Sequence, residues 1–133
     1  MPTFRTGRVT ELITERPGLQ RVRVALAPER ARDDQTDARA YVLTGLIGPV
    51  AVGDEVVCNT TAVDLGLGTG GWHVVHWNLS RASFSNPGPE HIMKLRYTSL
   101  QFDAGTDELA HPDAADRPLG GVPVVACSLH SQM

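Results

Sequence analysis

Residues 7–26 read GRVTELITERPGLQRVRVAL, and in this stretch two runs with a period of two flank a Pro-Gly pair. A period of two is typical of β-strands, and proline followed by glycine suits the two central positions of a type II turn. In the second run, valines alternate with Arg21 and Arg23, which indicates one buried face and one solvated face. The stretch therefore predicts a β-hairpin whose second strand is amphipathic.

Further short strands are predicted after the hairpin, separated by turn-rich segments. Residues 28–37 are charged and lack an apolar period, which predicts an exposed loop. β-Branched and apolar runs predict strands over residues 38–43, 55–63, 72–79, 92–102 and 122–127, and no helix of ordinary length is apparent. About five to seven short strands of this kind predict a mainly β fold, a small SH3-like or OB-like barrel of short antiparallel strands.

The barrel is expected to occupy residues 1–102. Residues 103–133 are expected to form a loop and then a buried strand over residues 122–127, a candidate first strand of an α/β domain. Because the sequence stops soon after this strand, we expect a longer protein whose missing C-terminal part is a partner of the barrel. An incomplete barrel would also expose strand edges, which favours a homodimer formed by strand pairing.

Composition narrows the class of protein. The chain has 133 residues, 41% of them hydrophobic and 20% charged, which is ordinary for a single soluble domain. It lacks an apolar run of the roughly 20 residues that cross a bilayer, and its N-terminus has no signal or lipidation motif, so a cytoplasmic location is expected. The net charge of −3 disfavours nucleic acid and membranes as partners, although net charge alone does not exclude a local basic patch on the surface. Cys58 and Cys127 are expected to be reduced thiols.

Residues 63–79 concentrate four of the thirteen glycines, both tryptophans and two of the five histidines. The glycines satisfy the pattern G-x-G-x-x-G, but a dinucleotide site needs this loop to open a helix, and here it opens a strand. Two interpretations remain: a structural turn that closes the barrel beside Trp72 and Trp77, and a backbone nest for phosphate or carboxylate. The nest would place ligand contacts at Gly66, Gly68, Thr69, Gly70 and Gly71.

A second candidate ligand site is the cationic group of His91, Lys94 and Arg96. On a continuous strand, Lys94 and Arg96 would share one face, which is suited to an anion or a nucleic-acid backbone. The alternative is a solvated face paired with neighbouring carboxylates, the more common outcome for surface charges.

The candidates for catalysis are isolated residues. Cys127 and His130 follow the last predicted strand, and a cysteine nucleophile needs a nearby base of this kind. Asp64 and His73 are further candidates, and Asp64 could orient a histidine or cap the glycine loop. His73 and His76 would point to opposite faces of a strand, so no metal site is predicted, and the sequence assigns no cofactor.

Three separate runs, residues 59–71, 91–101 and 127–131, resemble the bacterial domain of unknown function family 3866. They occur in the order expected for that family and together span most of the chain. The resemblance implies that the chain is the N-terminal part of a longer protein. It implies no activity, substrate or catalytic residue.

Three functional hypotheses remain. The favoured one is a non-catalytic β-barrel module that contributes a ligand or protein contact surface to a larger protein. The second is an enzyme pocket for an anionic or nucleotide-like small molecule at the loop of residues 66–71. The third is a single-stranded nucleic-acid binding barrel that uses Trp72 or Trp77.

Overall fold

The computed structural model describes residues 1–28, 37–89, 92–115 and 118–126, and it contains two compact units, residues 1–87 and 88–133. The first unit ends before residue 102, where the barrel was expected to end, and the division into domains 1–102 and 103–133 stays a prediction. Most of the predicted loop at residues 28–37 lies outside the described residues. Within these ranges, none of the helices has the length and apolar character needed to cross a membrane.

The first unit is built on a closed barrel of five strands: β1 (Phe4–Arg16), β2 (Leu19–Leu26), β3 (Asp37–Leu43), β4 (Glu55–Asn59) and β5 (Trp72–Asn78). Their order is β1-β2-β3-β5-β4, and β4 pairs with β1 to close the barrel. A barrel of five strands has the strand number of the OB type. The predicted fold class, mainly β with a small barrel, is confirmed.

One strand contact of the barrel is parallel. The pairs β1–β2, β2–β3, β1–β4 and β4–β5 are antiparallel, whereas β3 and β5 run in the same direction. Strict alternation of strand direction cannot close a ring with an odd number of strands, so a five-stranded barrel must contain a parallel contact. The expectation of antiparallel strands is therefore corrected at this one position.

The predicted hairpin is confirmed. Arg16 pairs with Leu19 across the turn, and Gly18 has a φ of 80°, a value that glycine adopts without steric cost. The inward side chains of β2 are buried while Arg21 is exposed, as the amphipathic pattern predicts. Aliphatic residues from all five strands fill the barrel, including Val9, Val22, Val24, Val42, Val56 and Val75.

Two one-turn helices interrupt the run of strands in the first unit: α1 (Thr44–Ile47) and α2 (Thr61–Asp64). The sequence predicted neither helix, and it predicted a strand that continued through residue 63. Strand β4 ends at Asn59, whose side-chain oxygen accepts a hydrogen bond from the backbone N–H of Thr61 at 3.1 Å. Short polar side chains of this kind compete with the strand ladder for backbone groups, which explains why the β-branched run turns into α2.

Strand β5 contains a β-bulge. Val57 pairs with Trp77 and Cys58 pairs with Val75, so the residue between them, His76, has no partner of its own. The bulge shifts the alternation of the strand by one residue. His73 and Val75 are consequently buried before it and Asn78 after it.

The described part of the second unit contains two short strands and two one-turn helices: β6 (Met93–Lys94), β7 (Phe102–Asp103), α3 (Asp107–Ala110) and α4 (Pro112–Ala115). The predicted strand at residues 92–102 is wrong between Lys94 and Phe102, because Leu95 and Tyr97 have φ values of 48° and 62° that no strand accommodates.

The predicted buried strand at residues 122–127 is also corrected. Residues 122–126 form no strand, and Val122, Val124 and Val125 are exposed. The preceding Gly120 and Gly121 have positive φ and form a turn in which the N–H of Val122 donates to the carbonyl of Leu119 at 3.0 Å. Residue 127 lies outside the described residues.

Candidate functional site

Two aromatic rings and two guanidinium groups lie together on the outer surface of β2, β3 and β5. The rings of Tyr41 and Trp72 are stacked, with centroids 4.8 Å apart and planes 20° apart. The guanidinium carbon of Arg21 lies 5.6 Å from the Tyr41 centroid and 5.4 Å from that of Trp72, and that of Arg39 lies 4.9 Å from the Trp72 centroid. We refer to Arg21, Arg39, Tyr41 and Trp72 as the arginine–aromatic face.

The strand register explains why these four residues meet. Arg21 is paired with Tyr41 across β2 and β3, and Arg39 is paired with Trp72 across β3 and β5. Side chains alternate along a strand, so the neighbours Val22 and Ala40 point into the barrel and are fully buried. The arginine–aromatic face is thus the outer side of the three strands whose inner side forms much of the core.

The charges of the arginine–aromatic face are not neutralised by carboxylates in the described part of the chain. Arg21 forms no ion pair there, and Arg39 donates only to the carbonyl of Gly70, at 3.1 Å. The adjacent Arg23, in contrast, is held by Glu11 at 3.0 Å and Asp37 at 2.8 Å. Arg21 and Arg39 therefore present positive charge beside exposed aromatic carbon.

A shallow apolar depression continues the arginine–aromatic face. It has a volume of about 290 Å³ and is bordered by Tyr41 and Arg21. Its floor is formed by Leu19, Leu43 and Val74, of which Leu43 and Val74 are exposed to 41% and 39%. The face therefore offers a combined surface of cations, stacked rings and aliphatic side chains.

A separate cavity of about 470 Å³ opens near the same strands, and we name it the His73 cavity. The His73 side chain is only 8% exposed, and among the described residues its Nδ1 atom has no hydrogen-bond partner. Burial lowers the pKa of His73, an effect that nearby Asp64 opposes and Arg5 reinforces, so the ring is neutral at pH 7. The wall also includes Arg5, Arg23, Asp37, Arg39, Asp64 and Gly71.

The glycine loop begins at the C-terminus of helix α2 and ends that helix. The N–H of Gly66 donates to the carbonyl of Val63 at 2.9 Å, and the N–H of Leu67 donates to the carbonyl of Ala62 at 2.8 Å. With Gly66 at a φ of 66°, these two bonds form the Schellman motif that ends α2. A dinucleotide fingerprint requires the opposite order, a glycine loop that begins a helix.

The structure brings some of the predicted site residues together. Asp64, Gly71 and His73 line the His73 cavity, whereas Gly66, Gly68, Thr69 and Gly70 do not. Asp64 also accepts a hydrogen bond from the Thr60 hydroxyl at 2.6 Å, which ties it to the start of α2. The two alternatives for Asp64, orienting a histidine and capping the loop, stay predictions.

The other predicted residues are dispersed. Lys94 lies in β6, while Arg96 follows that strand and donates to the carbonyl of Met93 at 3.2 Å, so the two do not share a strand face. His91, Cys127 and His130 lie outside the described residues. Buried Cys58 is a poor nucleophile, because burial raises its pKa to about 12. Among the described side chains, no group of three histidine, cysteine, aspartate or glutamate residues could hold a metal ion.

The sequence analysis missed Arg21, Arg39 and Tyr41 as functional candidates. Each occupies a polar-face position of a strand, where an isolated arginine or tyrosine is common. The sequence nevertheless contains a pattern that indicates this face, because an aromatic residue and several arginines alternate with valine and alanine on consecutive strands. Trp72 joins Arg21, Arg39 and Tyr41 only because β5 pairs with β3, and this pairing is not apparent from the sequence.

Comparison with known proteins identifies a family. A family model described as protein of unknown function (DUF3866) matches residues 39–133, which include Arg39, Tyr41, Asp64, Trp72 and His73. Neither the curated proteins nor the solved structures contain a match.

Proposed function

The chain belongs to the DUF3866 family, whose description names no activity, and from the geometry of the barrel we propose that it is a non-catalytic module that binds single-stranded nucleic acid. The proposed binding surface is the arginine–aromatic face. The observation that carries the proposal is the stack of Tyr41 on Trp72 beside Arg21 and Arg39. Proteins that bind single strands combine such aromatic platforms with positive charge along the backbone path.

The position of the face on the barrel supports the proposal. Barrels of the OB type bind oligonucleotides across strands 2 and 3, and Arg21, Arg39 and Tyr41 lie on these two strands. This is a fold-level analogy, and the side chains themselves supply the chemical argument.

The energies of the contacts are compatible with base stacking. The cation–π contacts of Arg21 and Arg39 with the rings are each worth about 0.5–1 kcal/mol at an exposed site. Stacking of a base on an aromatic ring is worth about 1–3 kcal/mol. A base can therefore displace a guanidinium from the ring, and the released guanidinium can bind a phosphate.

The net charge of −3 does not oppose this proposal, because the electrostatic attraction of a polyanion depends on the local distribution of charge. Arg21 and Arg39 are not neutralised by described carboxylates, and Arg16 lies at the edge of the same surface, beside the apolar depression. The attraction is expected to decline with salt, with a slope of log K against log salt of about −0.7 for each phosphate contact on a single strand.

The test is fluorescence anisotropy of a labelled mixed-sequence oligonucleotide of about 12 nucleotides, a length that one OB barrel can cover. Substitution Trp72→Ala should weaken binding about 5- to 150-fold, which is the equivalent of one lost base stack. Substitution Arg21→Gln should reduce the salt slope by about 0.7.

Arg8→Gln is the matched control. Arg8 is also an exposed arginine on a barrel strand, but it pairs with Glu55 at 2.6 Å on the β1–β4 side. The control should bind as the unchanged protein does. Equal losses for Arg8→Gln and Arg21→Gln would show that binding depends on overall charge, and this would exclude the arginine–aromatic face as the site.

A further inference from the structure

The apolar depression lies one step along the strands from the arginine–aromatic face. Leu19 and Leu43 pair across β2 and β3, and the next outward pair on the same two strands is Arg21 with Tyr41. Side chains two residues apart on a strand share a face, so both pairs lie on the outer side of the barrel. Val74, the partner of Tyr41 on β5, also borders the depression. The apolar depression is therefore directly beside the proposed stacking platform.

Positive charge flanks the apolar depression. Its border includes Arg16 and Arg21, and neither forms an ion pair with a carboxylate in the described part of the chain. A nucleic-acid strand carries a phosphate for each nucleotide, and guanidinium groups bind phosphate oxygens through paired N–H donors. The charge of the border thus complements a nucleotide, and it favours a base as the occupant over an apolar segment of a protein.

The floor of the apolar depression has little capacity for hydrogen bonds. Leu19, Leu43 and Val74 contribute only aliphatic carbon, and Leu43 and Val74 are exposed to 41% and 39%. Among the described side chains that line the depression, only the two guanidinium groups and the Tyr41 hydroxyl can form hydrogen bonds. The floor can therefore recognise a base only through apolar contact.

One base is suited to such a floor. Thymine carries a C5-methyl group, and apolar side chains contact this methyl group when proteins read DNA. The volume of about 290 Å³ is at the lower limit of small-molecule sites, which begin at roughly 300 Å³. The depression thus offers space for a single base and an aliphatic surface for its methyl group.

We propose that the apolar depression binds a thymine base of single-stranded DNA, with the methyl group against Leu43 and Val74 and the flanking phosphates near Arg16 and Arg21. This inference rests on the proposed function and adds to it a preference for thymine. Burial of one methyl group against aliphatic carbon is expected to change the affinity by up to about fourfold.

The test compares two homopolymers of about 12 nucleotides, oligodeoxythymidylate and oligodeoxyuridylate, which differ only in the C5-methyl group. Because every base is the same, the register of the strand on the protein does not affect the comparison. Fluorescence anisotropy at about 50 mM salt measures the affinity of the full chain for each homopolymer. We expect oligodeoxythymidylate to bind about two- to fourfold more tightly.

Two variants assign this preference to the apolar depression. Leu43→Asn and Val74→Thr replace aliphatic carbon with polar atoms in side chains of similar size. Each should bring the ratio of the two affinities close to one, while the affinity for oligodeoxyuridylate stays close to that of the unchanged protein. Leu12→Asn is the matched control, because Leu12 is exposed to 41%, as Leu43 is, but lies on β1 and does not border the depression. This variant should keep the full preference for thymine.

The outcomes separate this inference from the proposed function. Equal affinity for the two homopolymers, with both bound, would overturn the thymine site and leave the arginine–aromatic face in place. A preference that persists in both Leu43→Asn and Val74→Thr would place the methyl contact elsewhere and would also overturn the site. Failure of both homopolymers to bind would refute the proposed function and, with it, this inference. In sedimentation, a dimer of the full chain that is lost in Leu43→Asn would assign the depression to a second copy of the chain and overturn the proposal.

Discussion

The ring of Tyr41 is stacked on the indole of Trp72 at an angle of 20°, with 4.8 Å between their centroids, although the two residues belong to β3 and β5 and are distant in sequence. An aromatic pair of this geometry contributes about 0.5–1.5 kcal/mol beyond the burial of its area. The parallel register of β3 and β5 holds the pair on the outside of the barrel. The same contact therefore serves the stability of the barrel and supplies the proposed binding platform.

The Tyr41–Trp72 stack should produce a coupling energy between the two residues in a double-mutant cycle of protein stability. In urea unfolding, the loss of stability of the double variant Tyr41→Ala/Trp72→Ala should be smaller than the sum of the single losses by about 0.5–1.5 kcal/mol, because either single change already removes the stack. The pair Tyr41→Ala and Arg8→Gln, on different parts of the barrel, should be additive. Additivity in both cycles would contradict a stabilising stack.

Substitution Gly66→Ala should destabilise the protein by about 1–2 kcal/mol, because residue 66 has a φ of 66° and an alanine pays the steric cost of the left-handed region. Gly68→Ala is the matched control in the same loop, since Gly68 has no positive φ and its added Cβ would meet nothing within 4 Å. Thermal unfolding measures both variants. If the Gly68 variant lost as much stability as the Gly66 variant, the Schellman assignment would be wrong.

Gln20 should be essential for barrel stability. The side chain is 2% exposed, and it both accepts from the Val50 N–H at 2.9 Å and donates to the Val50 carbonyl at 3.3 Å. Gln20→Leu leaves two backbone groups without these partners, which should cost about 2–4 kcal/mol in urea unfolding. The exposed neighbour substitution Arg21→Gln should cost only about 0.5–1 kcal/mol, the contribution of its cation–π contacts at an exposed site. A loss for Gln20→Leu as small as that for Arg21→Gln would refute this role.

The buried His73 should make stability depend on pH. Burial, the main cause, lowers the pKa of His73 in the folded protein below the value of about 6.5 that applies to the unfolded chain. As pH falls through about 6.5, the unfolded state therefore binds a proton that the folded state does not, and stability falls. Below the folded pKa, this loss is complete.

The measurement is urea unfolding between about pH 7.5 and pH 5.5, a window that brackets the unfolded pKa. His73→Gln should lose less stability than the unchanged protein over this interval, whereas His76→Gln should keep the full dependence. Identical pH dependence in the unchanged protein and in His73→Gln would show that the folded and unfolded states share one pKa for His73.

Local patterns predicted the parts of the structure that depend on neighbours in sequence. The hairpin around Pro17 and Gly18 needs only a turn and two alternating runs, and it forms as predicted. The prediction of a barrel followed from several short strands of this kind. In contrast, Gly66 was interpreted as part of a ligand-binding motif, whereas in the structure it ends the helical turn that follows Thr60 and closes at Asp64.

The candidate sites depend on contacts that a single sequence does not reveal. Arg39 meets Trp72 only because β5 pairs with β3, and the order of strands in a barrel is a non-local property. The bulge at His76 likewise depends on the register of β4 against β5. Asp64 and His73 were separate candidates in the sequence and line the same cavity, and Arg5 joins them only because β1 pairs with β4.

The most direct test of the central claim is the fluorescence of Trp72 during titration with a single-stranded oligonucleotide. The chain has two tryptophans, so a Trp77→Phe variant reports on Trp72 alone, and phenylalanine is a conservative replacement at the half-buried residue 77. Binding at the arginine–aromatic face predicts saturable quenching at about 50 mM salt that weakens steeply by about 200 mM, because base stacking and phosphate contacts act together. Unchanged Trp72 fluorescence at low salt, in a protein shown to be folded, would contradict nucleic-acid binding by the arginine–aromatic face.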